Sequence, residues 1–347
     1  MTEIILIGDV NLMNVDDPEI PFRKVRDYFA QADIVFCNFE TCLYQPPSGH
    51  SVSNEGFHAD PKIGGQALRY AGIDAVGLAN NVNYGDAAIL SSITELDAIG
   101  MPHTGAGANL TEANKPAIVR KANISAGFQQ RSSVYWPTNH EAHKDAPGIA
   151  VLRGHTAYHV PMFKTRPEVP PPNRPGLPPD IITWADPVYL ASFTEDIKRL
   201  RAQVDVVVAS CHWGLGKDVL QYMREIAHAA IDAGADVVVG HGPHYSLPIE
   251  SYKGRPIFYG LGSFCFHTGH GGRKHGNWLG MMASVSVADG QPSRTRVRFV
   301  RHNDTNETYV CSLAAEAENI KEISEKSAKL GGNLSARDDG VELDLKA

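Results

Sequence analysis

The most regular feature of the sequence is a series of short apolar runs, each of which ends on polar residues. Five such runs are rich in Val and Ile and do not alternate cleanly with polar residues: 4–7, 33–37, 73–78, 204–210 and 236–239. Runs of this kind indicate strands that are buried on both faces of a sheet. Between and after them, the pattern predicts amphipathic helices at 21–31, 64–71, 87–99 and 187–203. This alternation of strands and helices predicts an α/β fold.

The rest of the pattern is more varied. A strand pair is predicted at 111–121 and 124–128, a polar and broken segment at 129–147, and a hairpin at 281–288 and 295–301 around the turn Asp289-Gly290. A C-terminal helix is predicted at 313–330, and the tail after Gly331 is expected to be loosely held. We therefore expect one domain over residues 1–310, followed by a helix and tail at 311–347.

Residues 161–187 contain nine of the 22 prolines. Such a stretch is incompatible with a helix or an inner strand. A disordered linker is one alternative. The apolar residues Phe163, Ile181, Ile182 and Trp184 instead favour an ordered excursion. We therefore predict a Pro-rich lid insertion at 155–187 that extends over the functional site.

The polar residues that end the five runs carry the candidate chemistry. In open α/β sheets, binding sites form beyond the carboxyl ends of the strands, so these side chains should share one rim. Taken singly, each has an ordinary alternative: a capping Asp, an ion-paired Glu, a turn-forming Asn or a hydrogen-bonded His. Together, oxygen and imidazole ligands suit one or two divalent ions such as Mn, Zn, Fe or Co. The candidates are Asp9, Glu40, Asn80, Asn81, His212, His241 and His244.

Composition limits the other possibilities. The chain has 347 residues, 43% hydrophobic and 20% charged, with a formal net charge of −7, so nothing indicates a general nucleic-acid or membrane surface. We see no signal peptide and no apolar run of transmembrane length. The five cysteines include no CxxC pair, which favours reduced thiols. A cytoplasmic protein is expected, and a homo-oligomer is compatible with the sequence.

The ordered motifs GDVNLM, NFE, LANN, CHWG, GHGPH followed by PIE, and YGLGSF resemble the poly-γ-glutamate capsule-biosynthesis protein CapA family. The resemblance covers about residues 4–266. It implies a calcineurin-like metallophosphatase-type sandwich of mixed sheets flanked by helices. By this resemblance Asp9, Glu40, Asn81, His212, His241 and His244 fall on presumed metal positions, with Glu40 as the bridging carboxylate.

The sequence departs from the family pattern at three places. Val82 stands where the family usually has a histidine, the spacer at 83–85 is abbreviated, and Gly242 replaces a second histidine. In metallophosphatases, the histidine after the asparagine is the expected general acid. His58 is a candidate substitute for it.

The predicted catalytic residues are therefore His58, His212 and Asn81. A group of basic side chains is predicted to bind the substrate: His155, His267, His270, Arg273 and Lys274.

These features predict a metal-dependent hydrolase in which a metal-bound hydroxide attacks an amide, lactam or ester in a small acidic substrate. The missing histidine disfavours a phosphoester substrate. A phosphomonoesterase or phosphodiesterase remains an alternative, and so does a non-catalytic protein that binds a polymer. Neither nucleic acid nor membrane is an expected partner.

Overall fold

The computed structural model describes residues 2–46, 57–121, 124–161, 168, 175–266, 268, 274, 276 and 278–345. The strands in these residues are β1 (Thr2–Asn11), β2 (Ile34–Phe39), β3 (Cys42–Leu43), β4 (His58–Ala59), β5 (Ala75–Gly77), β6 (His103–Thr104), β7 (Ala106–Gly107), β8 (Ala117–Lys121), β9 (Ile124–Ser132), β10 (Gly148–Ile149), β11 (Gly154–His159), β12 (Asp180–Ala185), β13 (Val206–His212), β14 (Val237–His241), β15 (Ile249–Tyr252), β16 (Arg255–Phe258), β17 (Ser263–Phe266), β18 (Gly280–Ala288), β19 (Gln291–His302), β20 (Thr308–Val310), β21 (Leu334–Arg337) and β22 (Gly340–Leu343). The helices are α1 (Arg26–Phe29), α2 (Pro61–Ala71), α3 (Asp86–Ala98), α4 (Leu110–Ala113), α5 (Pro187–Arg201), α6 (Gln221–Asp232) and α7 (Ala317–Ala328).

Two large sheets dominate the described part of the chain. The larger one has ten strands in the order β21-β22-β19-β18-β1-β2-β5-β6, with β17 beside β1 and β20 beside β19. The smaller one has six strands in the order β15-β16-β14-β13-β9-β8. In the larger sheet β1, β2 and β5 run parallel, and in the smaller sheet β9, β13 and β14 do so. Each sheet therefore presents several carboxyl ends at one edge.

The two sheets pack face to face through a shared apolar layer. Leu6 and Phe36 of the larger sheet meet Phe128 and Val208 of the smaller one, and the rings of Phe36 and Phe128 stack with centroids 4.5 Å apart. Helices α1, α2 and α3 cover the outer face of the larger sheet. Helices α5 and α6 cover the outer face of the smaller sheet. The architecture is therefore four layers, with two sheets between two layers of helices.

The expected α/β class is confirmed, and the five predicted buried strands are β1, β2, β5, β13 and β14. They belong to two facing sheets. The helices predicted at 64–71, 87–99 and 187–203 correspond to α2, α3 and α5, and the predicted late hairpin is formed by β18 and β19. The helix predicted at 21–31 is shorter, because turns occupy most of it before α1. Residues 111–113 are helical rather than extended.

Two further sequence interpretations were wrong. The polar segment that was expected to begin at Gln129 is the end of β9, whose side chains are buried through Ser132. The tail after Gly331 is not loosely held: β22 pairs with β19, and Val341 and Leu343 belong to the apolar layer between the sheets. The first interpretation failed because Gln129 and Gln130 are buried with hydrogen-bond partners, although polar residues usually indicate a loop. The second failed because it overlooked the apolar residues Val341 and Leu343.

The arms of the Pro-rich segment form an antiparallel hairpin of β11 and β12. Its β12 arm packs on α6, where the Tyr222 N–H donates to Thr183 Oγ1 and the Ala185 N–H donates to the Glu225 carboxylate. Residues 162–167 and 169–174, including Phe163, lie outside the described residues. A lid over the site therefore stays a prediction.

Candidate metal centre

The carboxyl ends of the two sheets bring five of the predicted ligands together. Asp9 lies two residues before the end of β1, and Glu40 directly follows β2 in the larger sheet. His212 and His241 are the last residues of β13 and β14 in the smaller sheet, and His244 lies three residues further along. The first four side chains are at most 1% exposed, whereas that of His244 is 31% exposed. The opening of the site is therefore on the His244 side.

The distances define one compact cluster. Asp9 Oδ1 lies 3.5 Å from His241 Nδ1, and Asp9 Oδ2 lies 3.1 Å from His244 Nδ1. Glu40 Oε1 lies 3.6 Å from His212 Nε2 and 3.8 Å from His244 Nε2. Ligand atoms of Asp9, Glu40 and His244 all fall within 4.8 Å of one another. One Glu40 oxygen thus faces two imidazoles, one at the end of β13 and one in the loop after β14, an arrangement compatible with the predicted bridging role.

The loop between His241 and His244 is shaped by Gly242. Its φ of 107° is in the region that favours glycine, and a Cβ atom there would come within 3.0 Å of His212 Cε1 and 3.1 Å of Nε2. A histidine at this position would therefore displace the His212 ring. His244 itself has a φ of 61°, a left-handed conformation that costs a non-glycine residue ~1 kcal/mol or more. Strained backbone is often found at functional sites, and here it places an imidazole against both carboxylates.

The donor atoms of the cluster fit a divalent cation. Both nitrogens of His241 and Nε2 of His212 are buried and have no hydrogen-bond partner in the described residues, although such atoms are normally satisfied. A metal ion would satisfy them. Ser132 Oγ lies 3.4 Å from His212 Nδ1, and Ser263 Oγ lies 3.2 Å from His244 Nδ1. These hydroxyls orient the imidazole rings, as the hydrogen-bond partners of ligating histidines do in known metal sites.

Strong charge coupling marks the same cluster. Burial alone would raise the pKa of Asp9, but the neighbouring imidazoles of His241 and His244 hold it below its usual range. Burial alone would lower the pKa of His244, but the charges of Glu40 and Asp9 raise it to about 9. Two buried carboxylates therefore require positive charge beside them, and without a metal a proton on His244 supplies it.

Asn80 and Asn81 have different surroundings. The Asn80 side chain is buried, donates to Asn38 Oδ1 and the Phe39 carbonyl, and accepts from the backbone N–H groups of Val82 and Asn83. It therefore holds the turn. Within the described residues the Asn81 side chain has no hydrogen bond, so Asn81 remains the predicted ligand of the pair.

An aromatic group that the sequence did not reveal borders Asn81. The exposed Trp136 donates its indole N–H to the Asn81 carbonyl and packs edge-on against Tyr84. Buried His140 accepts from the Trp136 N–H and donates through Nε2 to the Asn83 carbonyl. Burial lowers the pKa of His140 to about 4, so its ring is neutral at pH 7. The only sequence signal was the presence of Trp136 and His140 in the segment 129–147, which was expected to be polar and broken.

The predicted proton donor His58 lies in β4, in register with Cys42 of β3. Its ring packs edge-on against Tyr44, and its Nδ1 is buried without a partner in the described residues. Burial lowers the pKa of His58, which opposes a role as a general acid at neutral pH. Val82 is buried, and its carbonyl accepts from the Cys42 thiol. The catalytic role of His58 stays a prediction.

The predicted substrate-binding residues are only partly placed. His267, His270 and Arg273 lie outside the described residues. Lys274 is exposed. His155 lies in β11, where its Nε2 is 2.9 Å from the Asp186 carboxylate and its ring packs on Trp184. Its imidazole therefore already has partners, and a substrate role for it stays a prediction.

A cavity of about 400 Å³ adjoins the cluster at His244. Three cationic residues line it: Lys217, Arg301 and Lys326. Lys326 pairs with Glu322 and Arg301 pairs with Glu316. Lys217 lies 5.3 Å from the Tyr245 ring centroid and has no carboxylate within ion-pair distance in the described residues. The cavity can therefore offer an ammonium group to an anion beside the metal centre.

Comparison with known protein families matches the part of the chain that contains the cluster. A profile of the family described as bacterial capsule synthesis protein PGA_cap matches residues 3–268, which include all five clustered residues. The chain belongs to this family. The resemblance seen in the motifs is thereby confirmed, and the match to the PGA_cap family covers the clustered residues of both sheets.

Among curated relatives, the PGA biosynthesis protein CapA of Bacillus subtilis is 29% identical over 256 residues, covering 72% of this chain and 57% of the relative. The capsule biosynthesis protein CapA of Bacillus anthracis is 26% identical over 277 residues, covering 76% and 59%. The chain thus spans less than two thirds of the length of these relatives. A hypothetical protein from Thermus thermophilus shares the fold at 15% identity and a TM-score of 0.50, covering 87% of this chain and 100% of that one.

One further finding concerns membranes. Among the described helices, none combines the length and the apolar character that a membrane crossing requires.

Proposed function

We propose that this member of the PGA_cap family is a metal-dependent hydrolase that cleaves an amide, lactam or ester bond in an acidic substrate. The observation that carries the proposal is the buried cluster of two carboxylates and three imidazoles, in which nitrogens of His212 and His241 lack partners in the described residues. Divalent ions in such a cluster polarise a carbonyl group and supply an activated water at neutral pH. The ligands would be Asp9, Glu40, Asn81, His212, His241 and His244.

Other residues of the site would hold the ligands in place and shape the entrance for substrate. The buried carboxylates supply negative charge, and the Ser132 and Ser263 hydroxyls hold the rings of His212 and His244 in place. The Gly242-to-His244 loop keeps one imidazole at the opening, where substrate enters. A leaving group must take a proton, and Val82 has none to give. This favours a leaving group that is easily expelled or a donor elsewhere, such as His58.

The cavity at His244 supports an acidic substrate. Lys217 lines this cavity and has no carboxylate within ion-pair distance in the described residues, although the nearby Glu322 shares the cavity, and the chain as a whole carries a charge of −7. A carboxylate on the substrate would gain a charge-assisted hydrogen bond from Lys217. The names of the relatives, which refer to capsule and PGA biosynthesis, are consistent with an acidic substrate.

The first experiment measures metal directly. Elemental analysis of purified protein should find one or two divalent transition ions per chain, and His241→Ala should lose most of them. His228→Ala is the matched control, because His228 is an imidazole paired with Glu250 away from the cluster. If wild-type protein neither contains nor binds Mn, Zn, Fe or Co, the proposal is wrong.

The second experiment identifies the bond. A panel of γ-glutamyl amides, lactams and carboxylic esters should be hydrolysed faster than phosphomonoesters and phosphodiesters. Faster phosphoester cleavage would establish a phosphatase instead. Metal binding without turnover of any substrate would indicate a non-catalytic binding protein.

The third experiment tests substrate charge. Lys217→Ala should raise KM for an acidic substrate by about tenfold, the equivalent of one lost charge-assisted contact of ~1.4 kcal/mol, and should leave the neutral analogue unchanged. Lys198→Ala is the control, since Lys198 pairs with Glu195 on the surface of α5. Equal effects on the acidic and the neutral substrate would show that Lys217 does not bind a substrate carboxylate in this cavity.

A further inference from the structure

Gln130 joins the two sheets beside the metal centre. It belongs to β9 of the smaller sheet, and its side chain is fully buried. Its Oε1 accepts the backbone N–H of Ala79 at 2.7 Å, and its Nε2 donates to Asn38 Oδ1 at 3.0 Å. Both partners follow or lie in strands of the larger sheet. One amide side chain therefore crosses from the smaller sheet to the larger one.

The larger sheet leaves space for this crossing. A Cβ atom at Gly77, the last residue of β5, would lie 2.4 Å from Gln130 Cδ and would exclude the side chain. Reversing the buried Gln130 amide would be costly. Its NH₂ group would then face the Ala79 N–H, and its oxygen would face Asn38 Oδ1. The orientation of Gln130 is thus fixed by a backbone donor, the Ala79 N–H, which cannot change its role.

This orientation determines that of Asn38. Asn38 Oδ1 accepts from Gln130 Nε2 and from Asn80 Nδ2 at 3.2 Å, so its NH₂ group must face the other way. There Asn38 Nδ2 lies 2.9 Å from Asp9 Oδ1 and 3.3 Å from Glu40 Oε2. Because Glu40 Oε2 is held in this way, Glu40 Oε1 is the oxygen that faces His212 and His244.

We propose that Gln130 is a positioning residue of the metal centre, which acts through Asn38 to hold the Asp9 and Glu40 carboxylates in their ligand geometry. Gln130 touches neither carboxylate. Its effect passes through the Asn38 amide, whose NH₂ group bridges them. The inference rests on the metal centre of the proposed function, but it does not depend on which bond is cleaved.

The test is metal affinity, measured by calorimetric titration of metal-free protein with Mn²⁺. In Gln130→Glu the Nε2 donor is lost, and Asn38 would turn its oxygen towards the carboxylates. Gln130→Met has a similar volume and removes both hydrogen bonds without adding charge. We expect each variant to raise the Mn²⁺ dissociation constant by about 10- to 100-fold, as substitutions of groups that orient the ligands do in other metal sites.

Gln129→Met is the matched control. Gln129 is the neighbouring residue of the same strand, is 1% exposed and donates to the Asn114 carbonyl instead. This control should lose comparable thermal stability while binding Mn²⁺ within about twofold of wild type. In a double-mutant cycle, adding Gln130→Met to Asn38→Leu should change the dissociation constant little further, because Gln130 acts through Asn38.

The outcomes are distinct. Wild-type affinity in Gln130→Met, an equal loss in Gln129→Met, or additive losses in the cycle would each overturn the positioning role. A wild-type protein that binds Mn²⁺ but hydrolyses nothing in the substrate panel would overturn the proposed function and leave the positioning role standing. A wild-type protein that binds no divalent ion would overturn both.

Discussion

Replacing Glu40 with Gln should hardly affect the stability of the metal-free protein but should remove most of the stability that a bound metal adds. Glu40 is 1% exposed, and its Oε1 lies 3.6 Å and 3.8 Å from the imidazoles of His212 and His244. Gln keeps the shape but removes the charge that most strongly raises the pKa of His244. In metal-free protein a buried charge disappears together with its need for compensation, so the free energy of unfolding should change by less than about 1 kcal/mol.

In metal-loaded protein the same change removes the carboxylate that faces two imidazoles. We expect the Mn²⁺ dissociation constant to rise at least 100-fold, or ~2.7 kcal/mol. At a metal concentration 100 times the wild-type dissociation constant, wild-type protein gains ~2.7 kcal/mol of stability and the variant gains less than ~0.5 kcal/mol.

The assay for this prediction is thermal unfolding with and without Mn²⁺, combined with calorimetric titration. Glu250→Gln is the matched control: Glu250 is a buried carboxylate bonded to His228 and to the Tyr259 hydroxyl, at a different strand. The stability that Mn²⁺ adds to Glu250→Gln should equal the stability that it adds to wild type. Wild-type Mn²⁺ affinity in Glu40→Gln would refute the reasoning, because the bridging geometry would then contribute nothing to binding.

Three further predictions concern the surroundings of the cluster. His140 is neutral when folded, with a pKa of about 4 against 6.5 unfolded, so its contribution is present above pH 6.5 and lost as pH falls towards 4. Over that window the free energy of unfolding of wild type should fall by about 3 kcal/mol more than that of His140→Gln, and parallel pH curves would contradict this. Trp136→Ala should raise KM about fivefold, ~1 kcal/mol of ring contact, without changing Mn²⁺ affinity, whereas Trp136→Phe should largely retain KM; an unchanged KM in Trp136→Ala would exclude ring contact with substrate. If His58 donates a proton, His58→Gln should slow poor leaving groups far more than activated ones at unchanged metal content, and equal slowing would assign His58 to packing.

The clustering of the predicted ligands could be anticipated from sequence because each lies close to the carboxyl end of a buried strand, and parallel strands bring such ends together; their binding of a metal stays a prediction. Asp9, Glu40, His212, His241 and His244 all obey this rule. The apolar runs also indicated the strands, since burial on both faces requires continuous Val and Ile. What they could not show is that the strands divide between two sheets, because strand pairing depends on contacts between distant residues.

The hydrogen bonds that link Gln130 through Asn38 to Asp9 and Glu40 could not be predicted from the sequence, for a physical reason. Asn38, Asn80 and Gln130 are polar, and sequence patterns assign polar residues to turns and surfaces. Their burial depends on partners that are up to 92 positions apart, as for Gln130 and Asn38. The C-terminal β22 was missed for a related reason: its pairing with β19 reaches back from Val341 to Val297, and the segment carries only two buried apolar residues.

The division of the ligands between two sheets has a consequence for how the protein is made. The two carboxylates are synthesised within the first 40 residues, whereas no ligating histidine of the cluster appears before residue 212. The strand that carries Asp9 also waits for its neighbours β17 and β18, which begin at Ser263 and Gly280. A nascent chain therefore cannot assemble this cluster until residues up to β18 have left the ribosome. Long-range pairing of this kind slows folding, and the metal ion of the proposed function would find its full set of ligands only after the two sheets have docked.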